Sequence, residues 1–236
     1  MGRLLTLLLL TGCATQASLP LRVYPGGYAE GPYVEGRFKV VLPGSPLLLD
    51  ADGESLYAAY PFQLIRFKSG ALESLPLPGK PLFLRARPAL VVGLENGVYT
   101  EKGVFPYRAK DAALLDALYY VNETGLYREG ARKDGLLEAG EFWQVLAFRG
   151  KVYALGRRLY RHPDGHTAPL PLGLKKAEAG EEALFLLAEE GLYRLDEEGR
   201  ILAHRPGRFS DLAVGDGVFA VEEGRLKRFT LLLEER

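Results

Sequence analysis

Acidic residues are concentrated in EEGLYRLDEEGR, residues 189–200, which holds five carboxylates and two arginines. Such a cluster could provide acid–base catalysis, bind a cation, or belong to a structural repeat. Related segments elsewhere carry KSG, EKG, RKDG or HPDG where this one carries Asp196, Glu197 and Glu198. Because a catalytic pair would not be replaced by Lys-Ser in a sister segment, we interpret these three residues as a solvated turn.

Two histidines form a weaker candidate site. His162 and His166 flank the turn in RHPDGHT, and side chains across a tight hairpin can share a metal ion. Zinc requires three or four ligands, and no suitable third ligand is near in the sequence. The pair is therefore a weak metal candidate, and two exposed turn histidines are the simpler interpretation.

A further set of polar residues follows strongly apolar segments at regular intervals. If these positions are loops on one face of a repeat protein, their charge would attract a basic partner segment or a calcium ion. The set is Glu95, Asn96, Asn122, Glu123, Glu189, Glu190, Glu222 and Glu223. Arg157 and Arg158 oppose this charge, and Tyr60, Phe62 and Trp143 are candidate contacts for a partner. The simpler interpretation is that these charges only mark exposed turns.

The elements that would position these residues repeat along the chain. PFQLIRFKSG, ENGVYTEKGV, ETGLYREGAR, GRRLYRHPDG, EEGLYRLDEEG and EEGRLKRFTL align at intervals of 34, 28, 33, 33 and 34 residues. The equivalent positions are Ile65, Tyr99, Tyr127, Tyr160, Tyr193 and Lys227. In each copy an apolar run such as ALVVGL or ALFLLA precedes the motif. Before it lies a shorter segment such as LLLDADG, PLFLRARP, WQVLAFRG, KKAEAGE or SDLAVGDG.

Four short strands in each repeat of about 33 residues are typical of a β-propeller blade. We therefore predict an all-β protein, a β-propeller of six blades with four antiparallel strands each. GRFKVVLPG, residues 36–44, has the pattern of a fourth strand and is predicted to close the ring by completing the last blade. The alternative is seven blades, because EGPYVEG around Tyr33 resembles a third strand. The predicted domains are a tether and N-terminal segment, 13–35, and one propeller, 36–236.

The form GLYRxDxxG, best seen in residues 191–199, resembles the repeats of PQQ-like and sensor-regulator propeller families. The resemblance covers nearly the whole chain after residue 13, but the motif is generic. It implies the propeller fold and little about activity, because propellers host many unrelated functions.

The N-terminus resembles a bacterial lipoprotein signal. Arg3 precedes an apolar run, Leu4–Leu10, which is too short to span a bilayer as a helix. Leu10-Thr11-Gly12-Cys13 resembles the lipobox, which implies a signal peptide over 1–12, cleavage before Cys13 and lipidation of that cysteine. The implied location is the periplasmic face of the outer membrane or the cell surface. An ordinary secretory signal with a chance cysteine is the alternative.

Composition narrows the function classes. The formal net charge is +0, and no basic tail is present, which argues against nucleic-acid binding. The single cysteine excludes an intramolecular disulfide, and scarce thermolabile residues suggest a thermophilic source. We expect a monomeric, non-catalytic scaffold that binds an envelope protein and needs no cofactor. The alternative is an envelope hydrolase or lyase that uses the acidic loops, with calcium as its cofactor.

Overall fold

Seven small antiparallel sheets form a β-propeller in this computed structural model, which describes residues 18–131 and 135–236. Each sheet is one blade, and its strands follow chain order from the first, at the central channel, to the last, at the outer rim. Within the described ranges, no helix is long and apolar enough to cross a membrane.

Blades 1 to 4 each contain four strands. These are β1 (Leu21–Tyr24), β2 (Gly27–Glu30), β3 (Tyr33–Gly36) and β4 (Val40–Val41); β5 (Leu48–Ala51), β6 (Ser55–Tyr60), β7 (Gln63–Lys68) and β8 (Ala71–Pro76); β9 (Pro81–Arg85), β10 (Val91–Leu94), β11 (Gly97–Thr100) and β12 (Gly103–Phe105); and β13 (Asp111–Leu114), β14 (Leu118–Val121), β15 (Gly125–Arg128) and β16 (Leu136–Ala139).

Blades 5 and 6 also contain four strands, and blade 7 contains three. These are β17 (Phe142–Phe148), β18 (Lys151–Gly156), β19 (Arg158–His162) and β20 (His166–Pro169); β21 (Lys176–Ala179), β22 (Leu184–Ala188), β23 (Gly191–Leu195) and β24 (Ile201–Pro206); and β25 (Phe209–Val214), β26 (Val218–Glu222) and β27 (Arg225–Phe229).

Burial follows a strand's position within its blade. The second strand β22, LFLLA, is buried throughout because neighbouring blades cover both of its faces. The fourth strand β24, ILAHRP, alternates between exposed and half-buried residues because it lies at the rim. Continuous apolar runs therefore mark the second strands, as the sequence pattern predicts.

The core consists of apolar layers between successive blades. Leu192 packs with residues of blade 7, whereas Tyr193, the next residue along β23, packs with residues of blade 5. Consecutive side chains of a strand point to opposite faces, so each LYR motif joins its blade to both neighbours. The six aligned motifs are all third strands, as predicted.

The prediction of six blades is wrong, because the structure has seven. EGPYVEG is the third strand of an additional blade, blade 1, in which Tyr33 pairs with Val41 and Val34 with Val40. This blade lacks the GLYR motif, and its strands are only two to four residues long. Its sequence signal is consequently much weaker than that of the other blades.

The predicted closure of the ring is also wrong. Residues 36–44 complete blade 1 rather than the last blade, and the described part of blade 7 has three strands plus an isolated bridge from Phe229 to Glu235. The segment interpreted as a tether, 13–35, contains β1, β2 and most of β3. The ring is instead closed by side chains: Val23 of blade 1 packs against Ala213 and Val221 of blade 7.

Candidate functional site

The propeller has two faces with different connections. We call the upper face the one that carries the turns between second and third strands and the connections from one blade to the next; the lower face carries the other turns. First strands begin at the upper face, because each follows a connection between blades. The central channel runs between the faces and is lined by first strands from all seven blades.

Glu178 and Ser210 line this channel, and each first strand also places one polar residue in it at an equivalent position. Each precedes a buried apolar residue, such as Ala51 after Asp50 or Ala177 after Lys176, so the strand presents a polar side to the channel and an apolar side to the blade layers. We call the set the channel ring: Arg22, Asp50, Arg85, Asp111, Gln144, Lys176 and Asp211.

Four members of the channel ring accept a hydrogen bond from the backbone of the next blade. The distances from oxygen to backbone nitrogen are 2.7 Å for Asp50 with Ala86, 2.8 Å for Asp111 with Val145, 2.6 Å for Gln144 with Ala177 and 3.5 Å for Asp211 with Val23. These bonds satisfy backbone groups that the blade's own sheet leaves free.

The three cations of the channel ring also reach the next blade. Arg22 Nε donates to the carbonyl of Pro46 at 2.8 Å, in the connection to blade 2. Arg85 Nε donates to Asp111 at 2.9 Å, and Lys176 Nζ lies 2.8 Å from Asp211. Every member of the ring therefore links its own blade to the following one.

The channel contains two cavities that share Arg85 and Glu178 in their linings, one of about 440 Å³ at the upper face and one of about 370 Å³ at the lower face. Burial and the nearby charge of Glu178 raise the pKa of Asp50 to about 6. Burial disfavours the charged form of Lys176, but the carboxylates of Asp211 and Glu178 outweigh it and raise the pKa of this ammonium group. The ring charges are thus held by one another and by the backbone.

The candidate loop residues from the sequence all lie at or next to the upper face, but they are spread around the ring. Glu95 and Asn96 are in blade 3, Glu189 is in blade 6 and Glu223 is in blade 7. No group of three histidines, cysteines or carboxylates suited to hold a metal ion occurs among residues 18–131 and 135–236. The structure therefore does not bring the acidic loops together as one site.

Several of these charges are paired locally. Glu123 lies 2.7 Å from Lys110, Arg157 lies 2.6 Å from Glu141 and Arg158 lies 2.5 Å from Glu138. Glu222 approaches Lys227 at 4.0 Å. The pairing of Glu123 and Glu222 with lysines weakens the negative potential that the sequence predicts for the face.

Two other candidates stabilise their own turns. Asn122 Oδ1 accepts from the backbone of Thr124 at 2.9 Å and of Gly125 at 3.3 Å, which is the geometry of an Asx turn. Tyr60 donates its hydroxyl proton to the carbonyl of Gly44 at 2.7 Å and so joins the upper loops of blades 1 and 2. Both residues have a local structural role.

The apolar candidates are more exposed. Phe62 is 64% exposed and has a φ of 61°, a left-handed conformation that is rare for a bulky residue. Trp143, at the start of β17, is 38% exposed at the same face. Both rings are thus available for contact.

The two histidines do not share a site, because they face different blades. His162 lies against the ring of Tyr119 in blade 4, with centroids 5.9 Å apart. His166 Nε2 lies 2.9 Å from the carbonyl oxygen of Glu198 in blade 6. Burial lowers the pKa of His162, so its neutral form is favoured.

The acidic turn of EEGLYRLDEEGR is structural. Asp196 accepts hydrogen bonds from the backbones of Glu198 and Arg200, each at 2.9 Å. Arg161 of blade 5, which is buried, lies 2.6 Å from Asp164 in its own turn and 2.8 Å from Glu198. This ion network joins blades 5 and 6 and explains why the turn is acidic.

A groove at the outer rim was not predicted. It has a volume of about 510 Å³ and lies where the fourth strand of blade 5 passes into the connection to blade 6. Leu172 is 84% exposed and Ile201 is 56% exposed, while Tyr193 stacks on His204 with centroids 4.2 Å apart. Pro169 and Pro171 cannot donate backbone hydrogen bonds, so this segment ends the strand. We call it the rim groove, lined by 168–172, Glu190, Tyr193 and 198–201.

Sequence reasoning also missed the channel ring, although a signal was present. The segments LLLDADG, PLFLRARP, KKAEAGE and SDLAVGDG each place the charged residue of the channel ring directly before a small or apolar one. These charged residues are far apart in the sequence, and only closure of the ring brings them together. A search of the sequence for neighbouring site residues therefore does not find them. Cys13 and the lipobox lie outside the described residues.

No protein-family model and no curated protein matches this sequence. Solved structures do match, at low identity. One is PorZ, a bacterial surface component of the type-IX secretion system of Porphyromonas gingivalis, with a TM-score of 0.67 and 14% identity over 93% of this chain. This chain spans only 38% of that one.

Two further solved structures match over a larger share of their own length. Hsv2p of Kluyveromyces lactis has a TM-score of 0.54 and 12% identity, with coverage of 76% of this chain and 72% of that one. BBS1N, solved in a complex with ARL6DN, has a TM-score of 0.52 and 15% identity, with coverage of 78% and 76%. At these identities the likeness shows the β-propeller fold alone.

Proposed function

We propose that this chain is a non-catalytic propeller that binds a protein partner in the cell envelope, to which it is anchored by lipid on Cys13. The observation that carries the binding role is the rim groove, where Leu172 and Ile201 expose apolar surface beside a concave site. Its volume of about 510 Å³ falls within the ~300–1,000 Å³ of typical ligand sites.

The chemistry of the groove specifies the class of partner segment. Most of its exposed lining is apolar and includes Leu170, Leu172 and Ile201, and the charged residues Glu190, Glu198 and Arg200 also line it. The Glu190 carboxylate lies at the groove, 3.5 Å from the hydroxyl of Tyr193, and pairs with no cation among the described residues. An extended apolar peptide segment with one basic side chain fits this surface best.

The channel does not compete as a binding site in this proposal. Its ring charges are engaged in contacts between blades, so a ligand that bound them would have to replace those contacts. The alternative, a calcium-dependent hydrolase or lyase, gains no support from the upper face because the acidic loops are dispersed and partly paired.

The lipobox carries the proposal of an envelope location, and the likeness to PorZ, a bacterial surface component, supports it. Mass spectrometry of the mature N-terminus tests the anchor directly. We expect a diacylglyceryl-modified Cys13 in the membrane fraction, and the Cys13→Ser variant to leave that fraction. An unmodified residue 13 in membranes would contradict the anchor.

Site-specific photo-cross-linking in native envelopes tests the binding role. A photoreactive residue at position 172 should give one discrete cross-linked protein, and Ile201→Glu in the same chain should reduce its yield at least tenfold. The matched control is a photoreactive residue at position 72, because Leu72 is also exposed but lies in blade 2. Equal products at positions 172 and 72, or no effect of Ile201→Glu, would overturn the proposal.

A further inference from the structure

Exposed apolar side chains gather on the upper face of blades 1 to 3. Leu19, Leu47, Phe62 and Leu82 lie at the loops or strand starts of this face, and the paired residues Tyr33 and Val41 lie at its edge in blade 1. Their exposures run from 36% for Leu47 to 64% for Phe62. We call these six residues the apolar sector, which is distinct from the rim groove between blades 5 and 6.

The loops that carry the apolar sector are tied together. Gly31 donates its backbone proton to Pro20 at 2.9 Å, and Leu42 donates to Pro32 at 2.8 Å within blade 1. The Tyr60 hydroxyl bonds to Gly44 and so connects blade 2 to the same group. The part of the sector in blades 1 and 2 is therefore a connected surface rather than a set of independent loop tips.

Phe62 is the most exposed member, and its conformation is unusual. A left-handed φ of 61° costs a residue with a β-carbon roughly 1–2 kcal/mol, and glycine would avoid that cost. A large aromatic ring is nevertheless held at the tip of this turn, where the carbonyl of Phe62 accepts from Leu77 at 2.9 Å. Aromatic rings in such positions suit the boundary between water and lipid.

The place of Cys13 in the sequence, together with the proposed lipid, favours a membrane as the occupant of this surface. Leu19 follows Cys13 by six residues, and an extended chain spans at most about 3.6 Å per residue, so the two lie within roughly 20 Å of each other. A lipid on Cys13 would insert in the membrane, and the chain enters the propeller at the upper face of blade 1. The apolar sector, which includes Leu19, then begins within reach of the bilayer.

Building on the proposed lipid anchor, we propose that the apolar sector rests on the membrane leaflet that holds the Cys13 lipid. The propeller then tilts so that blades 1 to 3 contact lipid. Glu189 and Glu223, in blades 6 and 7, lie on the same face but outside the blades that make this contact, and the rim groove between blades 5 and 6 stays open to a partner.

Tryptophan fluorescence in the full lipidated chain tests this contact. Trp143 is the single tryptophan, so Trp143→Phe gives a silent background for Phe62→Trp. In phosphatidylcholine–phosphatidylglycerol vesicles with brominated acyl chains, we expect the emission of Phe62→Trp to fall at least twofold. Leu72→Trp is the matched control, because Leu72 lies near the lower face of the same blade and is 45% exposed; its emission should not change.

The outcomes separate this inference from the anchor. Acylated protein can float with the vesicles but show no quenching at position 62, or equal quenching at positions 62 and 72. Either result overturns the membrane contact but not the anchor, and a protein partner then becomes the occupant of the sector. An unmodified Cys13 overturns both. Adding Leu47→Asp to Phe62→Trp should reduce the quenching, and unchanged quenching would contradict the role of the whole sector.

Discussion

Two interfaces between neighbouring blades, 5 with 6 and 7 with 1, both hold the ring together. They differ greatly in how many buried contacts they contain. Between blades 5 and 6, eleven buried apolar side chains pack together, and the buried Arg161 joins Asp164 to Glu198. Between blades 7 and 1, where the ring closes, only Val23, Ala213 and Val221 are buried in the apolar cluster.

The polar contacts are also longer at the interface between blades 7 and 1, which closes the ring. The channel-ring bond from Ala177 to Gln144 measures 2.6 Å between blades 5 and 6, whereas the bond from Val23 to Asp211 measures 3.5 Å at the closing interface. There, Arg228 lies over the ring of Tyr28 at 5.9 Å, a contact typically worth about 0.5–1 kcal/mol at exposed sites. Because no strand is exchanged between these blades within residues 18–131 and 135–236, the closing interface should be where the ring opens first.

Substitutions that remove a buried apolar side chain should show the largest difference in stability between the two interfaces. Leu186→Ala deletes a fully buried side chain between blades 5 and 6 and should lower the free energy of unfolding by about 3–4 kcal/mol. Val221→Ala at the closing interface should cost only about 1.5 kcal/mol, from about 0.8 kcal/mol for each buried methyl group.

Urea unfolding measures both costs, and hydrogen exchange measures where the ring opens. Amides of β1 and β25–β27 should exchange before those of β22 in the parent protein, and Val221→Ala should speed the exchange of the first group selectively. If Val221→Ala costs as much as Leu186→Ala, the closing interface is not the weaker one.

Two aspartates of the channel ring allow a comparison at equivalent positions. Asp111 is 5% exposed and is bonded to both Arg85 and the backbone of Val145. Asp111→Asn leaves a buried guanidinium without its carboxylate and should cost about 3 kcal/mol. Asp211→Asn, at the closing interface, affects a side chain that is 25% exposed and should cost about 1 kcal/mol.

Thermal and urea unfolding of the two variants check this order. Circular dichroism should show the same β-sheet content in both proteins, because the change is confined to the channel. An Asp211→Asn variant less stable than Asp111→Asn would mean that closure depends chiefly on the polar ring.

The sequence predicted the repeats of blades 2 to 7 because their third strands carry a strong, regular motif. Tyr127, Tyr160 and Tyr193 recur at equal spacing and occupy the same position in their blades. Blade 1 carries no such motif, and residues 36–44 fit a fourth strand of either blade 1 or the last blade. Fourth strands are exposed and weakly patterned, so only tertiary contacts decide which blade they join.

The candidate site was less predictable for a different reason. Glu95, Asn122 and Glu189 stand out in the sequence as polar residues at loops, but their partners and separation depend on the curvature of the ring. The channel ring and the rim groove arise from residues in different blades, such as Leu172 and Ile201. Local pattern places each residue on its strand or loop. Packing of two neighbouring blades assembles the rim groove, and closure of the seven-bladed ring assembles the channel ring.

Acid should selectively weaken the interface between blades 5 and 6. Hydrogen bonds from Arg161 lower the pKa of Asp164 to about 2 and also lower the pKa of Glu198. Because both carboxylates are more acidic in the folded protein than in the unfolded chain, their stabilisation is complete above about pH 4.5 and is lost as the pH falls toward 2.

The Arg161→Met variant removes the ion pairs with Asp164 and Glu198, and with them this dependence of stability on pH, while it keeps most of the side-chain volume. The melting temperature of the parent protein should therefore fall more steeply between pH 4.5 and 2 than that of Arg161→Met. Arg228→Met is the matched control at the closing interface, since Arg228 lies over the rings of Tyr28 and Phe219, and its profile should follow the parent's. Parallel profiles for the parent and Arg161→Met would show that the Arg161 network contributes nothing to the acid response, and the contrast between the two interfaces would then rest on apolar packing alone.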